Sequence, residues 1–140
     1  MSGTGPVIVD TSALMAVLFD EPEADRVLAA LGGASERSLS AVGYVEAVAV
    51  LANRNGKDRA RVRRMLDRFL RQADVTVAPV DAGDAEAAAD AYLRYGRGSG
   101  HAAGLNLGDV FSYALAVRRG APLVYVGEDF VRTDVSVPGD

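Results

Sequence analysis

Apolar residues occur along this chain in short bursts whose spacing switches between two periods, a pattern that predicts alternating strands and helices. Val7, Ile8 and Val9 form a brief apolar run ended by Asp10, as expected of a strand covered on both faces. Thr11 and Ser12 are good helix-capping types, and residues 13–19 read as a helix stopped by Asp20, Glu21 and Pro22. A second short helix is expected over 23–31, ended by Gly32 and Gly33. Ser40 can cap a further helix over 41–53, with a turn at 53–56. Over 58–73, Val62, Met65, Leu66, Phe69 and Leu70 repeat at helical spacing as one buried stripe. Arg59, Arg61, Arg63, Arg64, Arg68 and Arg71 fill mostly the opposite face. The rest of the chain reads as a strand at 75–77, a helix at 84–95 closed by Gly96 and a glycine-containing loop at 97–107. A helix at 108–119 stopped by Gly120 and a strand at 123–126 follow. Alternation with short connections implies an α/β fold, without repeats or a long linker.

Composition then narrows the picture by exclusion. The chain has 140 residues, 49% hydrophobic and 24% charged, enough apolar material for one globular domain spanning 1–140. Zero cysteines exclude a disulfide scaffold, thiolate zinc and cysteine catalysis, and the single histidine, His101, excludes a multi-histidine metal site. The longest nearly apolar run, 41–52, is too short to span a bilayer and contains Glu46. The first six residues lack the cationic start of a secretion signal, so a cytoplasmic location is expected. A net charge of -4 argues against a general nucleic-acid coat, but leaves room for a local basic face. Lys57 is the sole lysine, and the abundance of arginine and alanine fits the codon bias of a GC-rich genome.

Four acids stand where ordinary folding does not require them. Asp10 lies where a buried strand passes into a helix, and ligand sites in open α/β sheets lie beyond the carboxyl ends of strands. Asp129 repeats that arrangement after the strand at 123–126, so the two carboxylates share a crevice if those strands are neighbours. Glu46 is the only carboxylate within 41–52, in mid-helix, where unpaired burial is costly; the helix is half exposed there or the carboxylate faces a cation. Asp109 opens the helix whose apolar face includes Phe111, Ala114, Leu115 and Val117, a place where the helix dipole alone favours an acid. Asp90 is different: Ala85, Ala88, Ala89 and Tyr92 are expected to face inward, leaving Glu86, Asp90 and Arg94 on a solvated face. His101, in a polar glycine-rich loop, reads as a surface residue, and the arginine face of 59–71 as solvated surface, with RNA contact the weaker reading.

Taken in order, residues 6–13 (Pro-Val-Ile-Val-Asp-Thr-Ser-Ala), Glu46 in a small-residue helix, residues 104–109 (Gly-Leu-Asn-Leu-Gly-Asp) and residues 127–130 (Gly-Glu-Asp-Phe) resemble the PIN-domain family. More narrowly, the chain resembles the VapC-type ribonuclease toxins of type II toxin-antitoxin pairs. The most specific stretch runs from Ala103 through Asp109 and Tyr113 to Asp129, Phe130, Thr133 and Asp134. The resemblance implies a single PIN-like domain, a central parallel sheet flanked by helices, acting as a metal-dependent endoribonuclease. It carries Asp10, Glu46, Asp109 and Asp129 over as the acids of a pocket for Mg²⁺ or Mn²⁺. Thr11 or Ser12 would support Asp10, and Asn106 would fix the start of the Asp109 helix. It also implies a homodimer, an RNA substrate and a cognate antitoxin that blocks the site.

The chemistry agrees with that assignment on its own terms. Four carboxylates brought together raise one another's pKa unless a divalent cation compensates, and oxygen-only ligation favours a hard ion. Such an ion suits phosphodiester hydrolysis that leaves a 5′-phosphate and a 3′-hydroxyl. An acidic pocket repels RNA, so affinity must come from the metal and from arginines, with Arg94 and Arg97 the candidates by proximity in sequence. Two other readings compete. A phosphoaspartate or receiver-type domain also uses an Asp after its first strand, but no second Asp stands two residues after Asp10 and Lys57 falls in a turn. A non-catalytic RNA- or protein-binding module would have these acids as caps and a metal-insensitive stability.

Overall fold

The computed structural model describes residues 5–55 and 58–139. The chain start, Gly56 of the expected turn and Lys57 lie outside the described residues. The element order is β1 (Pro6–Val9), α1 (Thr11–Leu18), α2 (Ala24–Gly32), β2 (Glu36–Ser40), α3 (Ala41–Asn55), α4 (Arg59–Gln72), β3 (Val75–Ala78), α5 (Ala82–Tyr95), α6 (Leu107–Arg119) and β4 (Leu123–Val124). The four strands form one parallel sheet in the order β3-β2-β1-β4. Each strand is too short to bury a core alone, so helices cover both faces. Residue alternation sorts the side chains: Val7 and Val9 join Leu14, Val27, Leu51 and Leu66 on the α1–α4 side. Ile8 and Leu123 join Leu105, Val110 and Phe130 on the α5–α6 side. No helix among the described residues is long and apolar enough to cross a membrane.

Several expectations from the sequence need correction. Strand β2 was not expected, because Glu36, Arg37 and Ser38 spoil its apolar pattern. The half-buried Arg37 is satisfied locally, donating to Leu31 O at 2.6 Å and Ala34 O at 2.9 Å, and Ser38 Oγ accepts from Arg119 at 3.0 Å. Strand β4 stops at Val124, two residues early: Tyr125 O accepts from Arg26, and Val126 N donates to Ser12 Oγ. Helix α3 continues to Asn55, through the expected turn. The cap of α1 is Asp10 rather than Thr11 or Ser12. On α5 the buried positions are Asp84, Ala88, Ala91 and Tyr95, while Ala85 and Ala89 are exposed; the Asp81–Asp84 capping box starts the helix earlier and rotates its inner face. Met65 on α4 and Val117 on α6 are likewise exposed. Gly120 ends α6 in the left-handed conformation (φ 61°). Gly96, at φ -73°, is instead needed for space, since a Cβ there would fall on Tyr92 O.

The topology fixes where a site can form. The chain runs β1 to β2 to β3 outward on one side, then returns to place β4 on the other side of β1. The reversal opens a crevice beyond the carboxyl ends of β1 and β4. Asp10 follows the first of these strands, and the 127–130 turn follows the second.

Candidate active site

Asp10 is 3% exposed, and its two carboxylate oxygens have different fates. Oδ2 accepts from Ser12 N at 3.0 Å and from Ser12 Oγ at 2.7 Å, capping α1. Ser12 Oγ in turn accepts from Val126 N at 3.0 Å, tying the cap to the segment after β4. Oδ1 is buried with no hydrogen-bond partner, the one side-chain oxygen or nitrogen among the described residues in that condition. An unpaired buried carboxylate oxygen carries a desolvation penalty of about 1–3 kcal/mol or more, so one left in a native fold calls for a partner such as a water or an ion.

Asp109 occupies the third position of α6 and is 6% exposed. Its Oδ2 accepts from Asn106 N at 3.0 Å, while Asn106 Oδ1 accepts from Asp109 N at 2.8 Å. This reciprocal box locks the carboxylate at the positive end of the helix. Glu46 projects from α3 toward the same helix end. A Cβ on Gly108 would fall on Glu46 Oε2 and stand 2.7 Å from its Cδ, so the bare glycine makes the room for that carboxylate. Thr11 Oγ1 donates to Gly43 O at 3.1 Å, joining α1 to α3. Asp129 is exposed, on the turn that begins with Gly127 in a left-handed conformation (φ 99°), and comes within hydrogen-bonding reach of Asp109.

The electrostatics register this proximity. Burial pushes the Asp109 carboxyl up to about 7; the charges of Asp10 and Asp129 and the hydrogen bond with Asp129 add to the rise, and the Asn106 N–H opposes it. Burial also raises Glu46, helped by the charges of Asp10 and Asp129 and countered by the Thr11 hydroxyl. The chain therefore brings Asp10, Glu46, Asp109 and Asp129 into one neighbourhood. Among the described residues no group of three acidic, histidine or cysteine side chains stands close enough to hold a metal ion as it is placed. The orphaned Asp10 Oδ1, the mutual repulsion and the all-oxygen donor set fit a hard divalent ion.

Other candidates sit elsewhere. Asp90 is exposed on α5, as expected. His101 Nδ1 accepts from Ala103 N at 3.0 Å, and its ring stands edge-on to Tyr95 at 4.8 Å, so it shapes its own loop. Arg94 lies over the Tyr95 ring at 4.6 Å, and Arg97 is exposed. The arginines of α4 are all exposed, with Arg61 near Asp58 and Arg63 Nε donating to Tyr44 Oη at 3.3 Å. Sequence reasoning missed Gly108. Its one signal was a glycine inside a helix start, where alanine is the better helix former.

A four-stranded parallel sheet with an acidic crevice at its reversal point is the architecture of a PIN domain, and the chain, matched to that domain over residues 7–136, belongs to the PIN-domain family. Within the family its kinship is with the VapC group. It is 46% identical over 129 residues to Ribonuclease VapC42 of Mycobacterium tuberculosis, spanning 92% of this chain and 96% of that protein. Solved structures share the fold. The crystal structure of Mycobacterium tuberculosis VapC20, described as a sarcin-ricin loop cleaving toxin, superposes with a TM-score of 0.72 at 20% identity, covering 92% of this chain and 95% of that one. A toxin-antitoxin complex from Klebsiella pneumoniae gives 0.65 at 20% identity, covering 94% and 95%.

Proposed function

We propose that this chain is a Mg²⁺- or Mn²⁺-dependent endoribonuclease, a single PIN domain that serves as the toxin of a toxin-antitoxin pair. The observation that carries the metal is the buried, unpartnered Asp10 Oδ1 beside three more carboxyl groups. Kinship with named VapC ribonucleases at 46% identity supports the nuclease. Asp10, Glu46, Asp109 and Asp129 are the residues that would hold the ion. When bound, a divalent ion supplies an electrophile for a phosphodiester oxygen and lowers the pKa of a water, the chemistry of hydrolysis to a 5′-phosphate and a 3′-hydroxyl.

The chain's own residues prepare that chemistry. Ser12 and Asn106 hold one oxygen each of Asp10 and Asp109, so both carboxylates are fixed in direction, and Asp10 keeps Oδ1 without a partner. Thr11 and the gap at Gly108 seat Glu46 beside them. RNA, repelled by the acids, is drawn in by exposed arginines and by the ion itself. The partners on this reading are an RNA substrate, a second copy of the chain and a cognate antitoxin, in the cytoplasm. The toxin-antitoxin complex among the fold neighbours supports the antitoxin.

Melting of EDTA-stripped protein tests the metal. At a hundredfold excess over its Kd, Mn²⁺ should raise the wild-type Tm by about 10 °C. Asp10→Asn should lose most of that rise. Equal shifts in both proteins would remove Asp10 from the metal set.

A further inference from the structure

The most specific part of the sequence pattern includes Tyr113, Thr133 and Asp134, which the reading above leaves without a task. Tyr113 follows Asp109 by four residues, so both lie on one face of α6. The segment after β4 carries Asp129 and, five residues later, Asp134. Helix and segment therefore meet twice. At one meeting Asp129 lies near Asp109 on the first turn of α6. At the other, the Tyr113 hydroxyl, on a ring only 8% exposed, donates to Asp134 Oδ1. Tyr95 packs edge-on to Tyr113 at 5.5 Å and also reaches Asp134. Between the meetings Phe130 is 2% exposed against Tyr125, and Thr133 Oγ1 donates to Phe130 O at 2.8 Å, keeping the segment in a tight turn.

We infer that the Tyr113–Asp134 contact is a clamp that holds the segment after β4 against α6 and so positions Asp129 beside Asp109. The inference rests on the metal-site reading above. Asp129 is the exposed member of the four acids and sits on a glycine-initiated turn, so it is the one whose place depends on what holds its segment. Tyr113 and Asp134 act here as positioning residues. The hydroxyl of Tyr113 keeps its proton well above the usual range, first through burial and then through its bond to Asp134, which fixes it as the donor.

The test titrates Mn²⁺ into EDTA-stripped wild type, Tyr113→Phe, Asp129→Asn and the double variant by calorimetry, with cleavage of an RNA pool measured against metal concentration. Tyr113→Phe keeps the ring in the core. Asp134→Asn, at the exposed end of the contact, weakens the same clamp if the first variant folds poorly. The expected result is a loss of Mn²⁺ affinity of about tenfold in Tyr113→Phe, with cleavage recovering at saturating metal. Asp129→Asn should lose more, and adding Tyr113→Phe to it should change nothing further. Wild-type affinity in Tyr113→Phe beside a weakened Asp129→Asn would overturn the clamp and leave the site reading standing, since Phe130 alone would then suffice. Losses that multiply in the double variant would also overturn it, because the hydroxyl would be acting on something other than Asp129. Wild-type affinity in Asp129→Asn would remove that acid from the site, and the clamp with it.

Discussion

The two carboxylate oxygens of Asp10 meet different surroundings. Oδ2 is spent on the α1 cap and on Ser12, and Oδ1 is left without a partner. Asn is about as good an N-cap as Asp, so Asp10→Asn should fold with a stability change under about 1 kcal/mol. It should nevertheless lose metal-dependent cleavage, measured with circular dichroism as the control for folding. Asp90→Asn, on the exposed face of α5, should cleave like wild type, and lost activity there would place a site acid outside the crevice. At this scale the sequence was informative wherever an acid sat against its surroundings: Asp10 after an apolar strand and Glu46 in an apolar helix. Asp109 was less distinct, because a helix start and a pocket acid make the same demand at that position; in the structure it completes the α6 capping box and stands near Asp10 and Asp129.

The crevice also sets a pH dependence whose sign follows from the raised carboxyls. Asp109 titrates near 7 in the folded chain against an ordinary 3.8, and Glu46 is raised from 4.5. Between about pH 4 and 7 the folded state therefore holds protons that the unfolded chain has released. The associated stability is complete below about pH 4 and falls as pH rises through 7. The lowered carboxyls, Asp81 and Asp134, work in the opposite sense, but their contribution is already complete by pH 6. Metal-free protein should therefore melt at a lower temperature at pH 8 than at pH 6 in EDTA. Saturating Mn²⁺ should remove or reverse the difference, because the ion replaces the protons. A Tm that rises with pH in EDTA would contradict the proposed crowding of carboxyls.

Among the elements, the helices with strong periodicity were legible and their ends were less so. Helix α4 matched its stripe at Val62, Leu66 and Leu70, whereas α5 buries Asp84, Ala88, Ala91 and Tyr95, with Asp81 and Asp84 of its capping box paired to Arg118 at 2.9 and 2.7 Å. Strand β2 was hidden by polar residues that find partners only in the folded chain, Arg37 among backbone carbonyls and Ser38 against Arg119. The junction of α3 with α6 was hidden too, since no local pattern reveals that Gly108 must be bare to admit Glu46. Gly108→Ala should favour α6 by up to about 1 kcal/mol. The new Cβ would displace the flexible Glu46 side chain, so cleavage should fall by about tenfold or more while Tm holds or rises. Combined with Glu46→Gln, it should cost nothing further. A fully active Gly108→Ala would show that Glu46 works from another position.

For the whole molecule, the decisive feature is the reversal of strand order around β1, which gathers residues from four separate parts of the chain into one crevice. The sequence offered these residues in separate short segments, and their proximity comes from the topology. The most direct test is cleavage of a mixed structured-RNA pool by the purified chain with Mg²⁺, Mn²⁺ or EDTA, using Asp10→Asn as the control for contaminating nuclease. Cleavage that requires either ion and disappears in EDTA and in Asp10→Asn is the predicted result. Intact RNA under every condition, or cleavage that is undiminished by EDTA or by the Asp10→Asn change, would contradict it.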